Sequence, residues 1–206
     1  MLKSKWLAWV QRLQAIAHNG LLYSDNAYDI ERYEKIRDLA VEMAAAHTGA
    51  ELEQIENIYA QEKGYMTPKV DVRGAVFKND TILLVQEKAD GLWSLPGGWA
   101  DIGDSPSKAI EREIYEESGY EARAVKLIAV YDRNQHHHDP YPFHAYKVFF
   151  MCELLGGKAL TTHETTAVGF FAESELPSLS TTRVTVEQIL RIFAHHQNPD
   201  WPTDFD

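Results

Sequence analysis

Apolar side chains recur every three to four residues through the first third of the chain. Trp6, Leu7, Val10, Leu13 and Ile16 predict a helix over 3–18 that stops at Asn19 and Gly20. Ile30, Tyr33, Ile36, Leu39 and Met43 mark a second helix from 27 into the 40s, and Leu52, Ile55, Ile58 and Tyr59 a third over 51–62. Residues 63–68, KGYMTP, read as a linker. From Val70 the period changes to that of strands: VDVRGAVF, then TILLVQE, separated by the turn residues Lys78, Asn79 and Asp80. A helix over 106–118 comes next, then strands over 124–132, 144–155 and 167–172, and a closing helix over 182–197. This order predicts an α+β or α/β/α layered domain behind a helical N-terminal section.

Composition sharpens the picture. The chain has 206 residues, 45% hydrophobic and 25% charged, enough apolar material for a packed core. No apolar run approaches the ~20 residues that span a bilayer. Gln11, Arg12 and Gln14 interrupt the N-terminal apolar positions, which suits an amphipathic helix and not a secretory signal. The single cysteine, Cys152, sits in an apolar strand-like run. That excludes a disulfide framework, favours a buried thiol and fits a reducing cytoplasm. The net charge of −11 argues against general binding to a nucleic-acid backbone. An acidic enzyme still takes an anionic substrate when metal ions bridge the two.

The densest chemistry lies in residues 112–117, REIYEE. Glu113, Glu116 and Glu117 stand at i, i+3 and i+4, on one helical face. Three stacked carboxylates repel each other unless a cation neutralises them, and Mg²⁺ prefers carboxylate oxygens together with waters and substrate phosphates. Arg112 is placed to hold one carboxylate through a charge-assisted fork. The helix is well punctuated: Ser105 as N-cap, Pro106 at the first position, and Gly119 where a left-handed residue ends it. Ile110 and Ile114 can pack inward. Ahead of the helix, Gly97 and Gly98 can bring bare backbone close to a ligand.

Residues 98–120 resemble the Nudix box: a glycine, five residues, an acid, seven residues, then Arg-Glu-apolar-x-Glu-Glu-x-Gly-apolar. Gly98, Arg112, Glu113, Ile114, Glu116, Glu117 and Gly119 fall in place; Asp104 stands where the family usually has Glu, and Tyr120 fills the last apolar position loosely. The resemblance covers about 68–195. It implies an α/β/α sandwich with a mixed sheet, and divides the chain into a helical subdomain at 1–64 and a Nudix domain at 68–206. The N-terminal section and the ending NPDWPTDFD also look similar to a bacterial subgroup of ADP-ribose or CDP-choline pyrophosphatases. That likeness implies hydrolysis of a pyrophosphate bond in a nucleoside diphosphate derivative, with Mg²⁺, or Mn²⁺ in its place. Glu113 and Glu117 would be the firmest metal ligands, Glu116 next, with a carbonyl of Gly97 or Gly98 completing the shell. Arg112 would orient Glu113.

Other positions carry two readings each. Glu164 is the candidate general base from a later loop, or else a solvent-facing acid. Arg73 is placed to meet a phosphate or to pair structurally. Glu87 ends a strand as a ligand-side acid or, preferably, an edge contact. Gly98 and Trp99 border the expected substrate position, while Trp93 suits core packing. His136, His137 and His138 splay apart on any regular backbone, so they read as a surface loop that could close over substrate rather than a metal cluster. Tyr23, Asp25, Tyr28, Asp29, Arg32 and Tyr33 form a polar-aromatic cluster suited to a homodimer interface, and secondarily, through Tyr23, Asp25 and Arg32, to the nucleotide pocket. Competing functions are a housecleaning pyrophosphatase for nucleoside triphosphates and a non-catalytic nucleotide-sensing regulator that binds DNA. Residues 1–60 hold six Lys and Arg against nine Asp and Glu, which opposes the last.

Overall fold

The computed structural model describes residues 5–49, 51–60 and 64–206. The chain forms two compact units: residues up to Pro68 together with Pro140–His144, and Lys69–Asp139 together with Ala145–Asp206. Nothing in the local sequence pattern signals that residues 140–144 group with the helices.

The first unit holds α1 (Lys5–Tyr23), α2 (Ala27–Thr48) and α3 (Leu52–Ala60). Val10, Ala40, Val41, Ala44, Ile55 and Tyr59 form its core. Asn26 caps α2 by accepting from the N–H groups of Tyr28 and Asp29. The side chain of Gln11 donates to the carbonyls of Tyr141 and Pro142. The expected stop at Asn19 and Gly20 is corrected, since α1 runs on to Tyr23. Gly20 has a packing reason: the ring of Tyr33 on α2 occupies the space a Cβ would need. The ~1 kcal/mol that a mid-helix glycine costs is offset by that close approach. The predicted start of α1 at residue 3 and the end of α3 at 61–62 lie outside the described residues.

The second unit contains β1 (Lys69–Lys78), β2 (Thr81–Glu87), β3 (Trp93–Ser94), α4 (Pro106–Ser118), β4 (Tyr120–Asp132), β5 (Ala145–Gly157), β6 (Thr165–Phe171), α5 (Val186–Gln197) and β7 (Asp204–Phe205). The sheet runs β3-β2-β1-β5-β4-β7, with β6 pairing along β2. It is mixed: β1 with β5 and β4 with β7 are parallel, and the other pairs antiparallel. Alternation along the strands sorts two cores. Val72, Val76, Leu83 and Cys152 face Ala109, Ile110 and Ile114 of α4. Ala75, Ile82, Leu84 and Phe149 face Ile189, Ile192 and Phe193 of α5. The result is an α/β/α sandwich with a mixed sheet.

Several elements differ from expectation: β3 was not read from the sequence, and β4 starts at Tyr120 rather than 124. Helix α5 starts at Val186, not 182, because Thr185 and Gln188 close a capping box that fixes its entry. The C-terminal tail adds β7, which pairs with Ala129 and Val130. Its Asp204 gathers Arg191 Nε at 2.5 Å and Nη2 at 2.8 Å, His195 Nε2 at 3.1 Å and Tyr131 Oη at 3.1 Å. Trp201 stacks under the Arg191 guanidinium, 4.5 Å from its ring centre.

The hydrogen bonds from Arg191 hold the Asp204 carboxyl well below its ordinary value of 3.8. A depressed carboxylate contributes stability above its unfolded value and loses it as pH falls through the folded one. Asp204→Asn is therefore expected to cost about 1–3 kcal/mol at pH 7. The gap to the parent protein should be narrower at pH 3, as measured by urea unfolding at the two pH values.

Candidate active site

Helix α4 owes its position to local signals and two isoleucines. Ser105 Oγ accepts from the N–H of Lys108, Pro106 opens the helix, and Gly119 ends it at φ 74°, donating its N–H to the Tyr115 carbonyl at 2.9 Å. Ile110 and Ile114, both fully buried, lock the helix onto the sheet. That rotation grades the three acids: Glu117 is 5% exposed, Glu113 half-buried and Glu116 exposed.

Residues 95–98 are stitched to β1. Gly74 N–H donates to the Pro96 carbonyl at 3.0 Å and Val72 N–H to the Gly98 carbonyl at 2.8 Å. On this platform Gly97 N–H donates to Glu117 Oε2 at 2.9 Å. A Cβ on Gly98 would lie 3.3 Å from Glu113 Oε2, so that carboxylate rests over the neighbouring glycine. Gly97 has φ 137°, and a Cβ there would strike the Val72 carbonyl oxygen. The two glycines thus let two carboxylates approach bare backbone.

Arg112 gathers the outer acids. Its Nη1 lies 2.9 Å from Glu113 Oε1 and 2.8 Å from Glu116 Oε2. Its Nε reaches Asp104 Oδ2 at 3.2 Å and its Nη2 reaches Asp101 Oδ2 at 3.1 Å. The shorter acid at position 104 therefore still makes contact. Asp101, which sequence reasoning did not single out, completes the set. Burial works against the Arg112 charge, but Glu116, Asp104 and Glu113 outweigh it and hold its proton more firmly.

Inside, the balance runs the other way. Burial pushes the Glu117 carboxyl up to about 8, with Arg73 and the Gly97 N–H opposing, and Glu87 and Glu113 adding to the rise. Burial also raises Glu113, against the pull of Arg112. Among the described residues no three His, Cys, Asp or Glu side chains are gathered into a ready-made metal cage. Glu113 and Glu117 approach the glycine turn, while Arg112 holds Glu113 and Glu116 from outside. The donor set still fits a hard divalent cation. It is all oxygen, it brings one buried and one half-buried carboxylate to the glycine turn, and Mg²⁺ is typically held by one or two carboxylates, waters and substrate phosphates.

The remaining predicted residues divide. Glu164 is exposed, its carboxylate 3.0 Å from His163 Nε2, and its carbonyl accepts from Lys88 N–H at 2.8 Å. The next residue, Thr165, donates its hydroxyl to the Glu117 carbonyl at 2.9 Å, which places this loop at the end of the acidic helix. The substrate-contact reading of Arg73 is corrected: the residue is 5% exposed, and its guanidinium is turned to Asp71, Ser94 Oγ and the Leu95 carbonyl. Glu87 is not an edge contact but a buried acid, 3.0 Å from Arg183 Nε. Arg183 was not found from sequence, because nothing local marks a pairing that spans nearly a hundred residues. Trp99 is 41% exposed, whereas Trp93 packs on the α5-side core. His136 contacts Asp206 and His138 the Thr181 carbonyl, so these neighbours do not converge. In the helical unit Tyr23 and Asp25 are exposed, and Arg32 pairs with Asp29 at 2.7 Å.

Comparison with known proteins matches this geometry to a family. Residues 67–191 match the NUDIX domain, and residues 4–59 match a domain described as UDP-X-like, N-terminal oligomerisation. The chain belongs to the Nudix family and is a Nudix hydrolase. It is 47% identical over 204 residues to the Bacillus subtilis protein named "Putative ADP-ribose pyrophosphatase YjhB", covering 99% of this chain and 98% of that one. The crystal structure of an ADP-ribose pyrophosphatase from Streptococcus suis is 41% identical, with a TM-score of 0.63, covering 68% of this chain and 100% of that one. The crystal structure of a UDP-X diphosphatase is 32% identical, with a TM-score of 0.64 and both chains covered in full.

Because the Gly97 position tolerates neither a Cβ nor an ordinary φ, Gly97→Ala should cost at least about 1–3 kcal/mol in strain alone. A fall in thermal midpoint of several degrees is the expected reading, and the hydrogen bond from the residue 97 amide to Glu117 should break as the turn shifts.

Proposed function

We propose that this protein hydrolyses the pyrophosphate bond of a nucleoside diphosphate joined to a second group, with ADP-ribose the first substrate to test. The observation that carries this reading is the convergence of Glu113 and Glu117 on the turn at Gly97 and Gly98. Full-length likeness to YjhB and to a UDP-X diphosphatase supports a diphosphate-linked substrate. The housecleaning alternative draws on a Bacillus subtilis protein named "Putative 8-oxo-dGTP diphosphatase", which matches only 48% of this chain. The retained box acids oppose a non-catalytic regulator.

Glu113, Glu117 and the Gly97 carbonyl would hold Mg²⁺ or Mn²⁺, with Glu116 at the margin. A divalent ion there neutralises the diphosphate and eases ionisation of a nearby water. Arg112 keeps Glu113 and Glu116 oriented. Water attacks one phosphorus and its proton passes to the Glu164 carboxylate. The anhydride P–O bond breaks, and its oxygen leaves with the other phosphate. The products are a nucleoside monophosphate and a phosphorylated partner. Gly98 and Trp99 border the substrate. Residues 1–64 pair two copies into a homodimer; the exposed Trp9, Ile16 and Leu22 of α1 support this. The reading places the enzyme in the cytoplasm. Among the described residues no helix is long and apolar enough to cross a membrane.

A panel of ADP-ribose, CDP-choline and UDP-linked sugars incubated with Mg²⁺ tests the reading. Monophosphate release that a chelator abolishes is the expected result. Glu117→Gln should lower kcat by about 10²–10³-fold or more with the fold intact by circular dichroism. Turnover near that of the parent enzyme would refute the assignment.

A further inference from the structure

Beneath the platform at residues 95–98 lies a row of buried charges that the proposed reaction does not use. Lys147 of β5 is fully buried, and it stands in register with Asp71 of β1. Its ammonium donates to Asp71 Oδ2, while Arg73 Nε donates to Asp71 Oδ1 at 2.7 Å. One carboxylate therefore fixes two cations in a water-poor interior, where such contacts are worth most and broken ones cost most. The fixed guanidinium turns its Nη1 to the Leu95 carbonyl at 3.1 Å and to Ser94 Oγ at 3.3 Å. Leu95 comes two residues before the glycine whose N–H holds Glu117. The Arg73 charge also attracts the carboxylates of Glu117 and Glu87.

We propose that Arg73, braced by Asp71 and Lys147, is a positioning residue. It pins the glycine turn from below, and it supplies the interior positive charge against which Glu117 keeps its place. The proposal rests on the hydrolase reading for its kinetic consequence only. A planar fork is required, since one nitrogen must reach Asp71 while another reaches the Leu95 carbonyl. The single ammonium of lysine does not reproduce that. Substitution of Arg73 leaves Asp71 with Lys147 and Glu87 with Arg183, while Glu117 loses the positive charge beside it.

The test compares the parent protein with Arg73→Met and Arg73→Lys. Amide exchange followed by NMR reads the turn directly. In Arg73→Met the Gly97 amide should exchange about 10-fold faster or more, while core amides such as Ile192 keep their rate. On the diphosphate substrate, kcat should fall about 10- to 100-fold with KM within about 3-fold. Arg73→Lys should fall between the two, because it keeps the charge and loses the fork. If Arg73→Met does not fold, the lysine variant decides: parent-like Gly97 exchange and kcat there would overturn the proposal. A raised KM with kcat preserved would overturn it too, by making Arg73 a substrate ligand. So would uniformly faster exchange with kcat preserved, by making its role merely structural. If the parent protein cleaves no diphosphate, the hydrolase reading fails by itself and the Gly97 exchange rate still decides the role of Arg73.

Discussion

A carboxylate buried against a backbone amide is the constraint on which the second unit is organised. Glu117 has almost no solvent, and its ionised form is held by the Gly97 N–H and the nearby charge of Arg73. Burial outweighs these two in the absence of a further cation, as the raised carboxyl shows. Everything around Glu117 follows from keeping it there. Ile110 and Ile114 fix the helix rotation, Thr165 ties off the Glu117 carbonyl, and β1 carries the glycine turn. Keeping a carboxylate there costs stability that the surrounding contacts offset.

Legibility in the sequence followed the range of the interaction. Helix α4 could be read to the residue because Ser105, Pro106 and Gly119 act within one turn of where they stand. The layered sandwich could be read because strands, a helix, strands and a last helix follow one another, and both faces of β1 and β2 are covered. Gly20 misled, since its role is set by a ring on another helix rather than by its own backbone. Strand β7 is two residues long and exists through Arg191, His195 and Tyr131, which no local pattern connects to Asp204.

The site shows the same division. Spacing alone brought Arg112, Glu113, Glu116 and Glu117 together, and Arg112 does touch Glu113 and Glu116. Spacing could not say that one acid would be buried, one half-buried and one drawn to the surface, because that grading depends on the angle at which the helix meets the sheet. Nor could it find Asp101, Arg183 and Lys147, or show that Glu87 is buried. Each is an ordinary charged residue until the fold sets it opposite a partner. Arg73 carried two readings from sequence, and burial separates them.

Two arginines therefore divide one electrostatic task. Arg112 lies near the surface, where water screens it, and it gathers several acids loosely enough for Glu116 to stay exposed. Arg73 lies in the interior, where screening is weak, and it is fixed by Asp71 in a single geometry. A protein of net charge −11 repels an anionic substrate as a whole. Positive charge at this place is therefore local: an outer arginine organises the acids, and an inner one is held to the Leu95 carbonyl beside their platform.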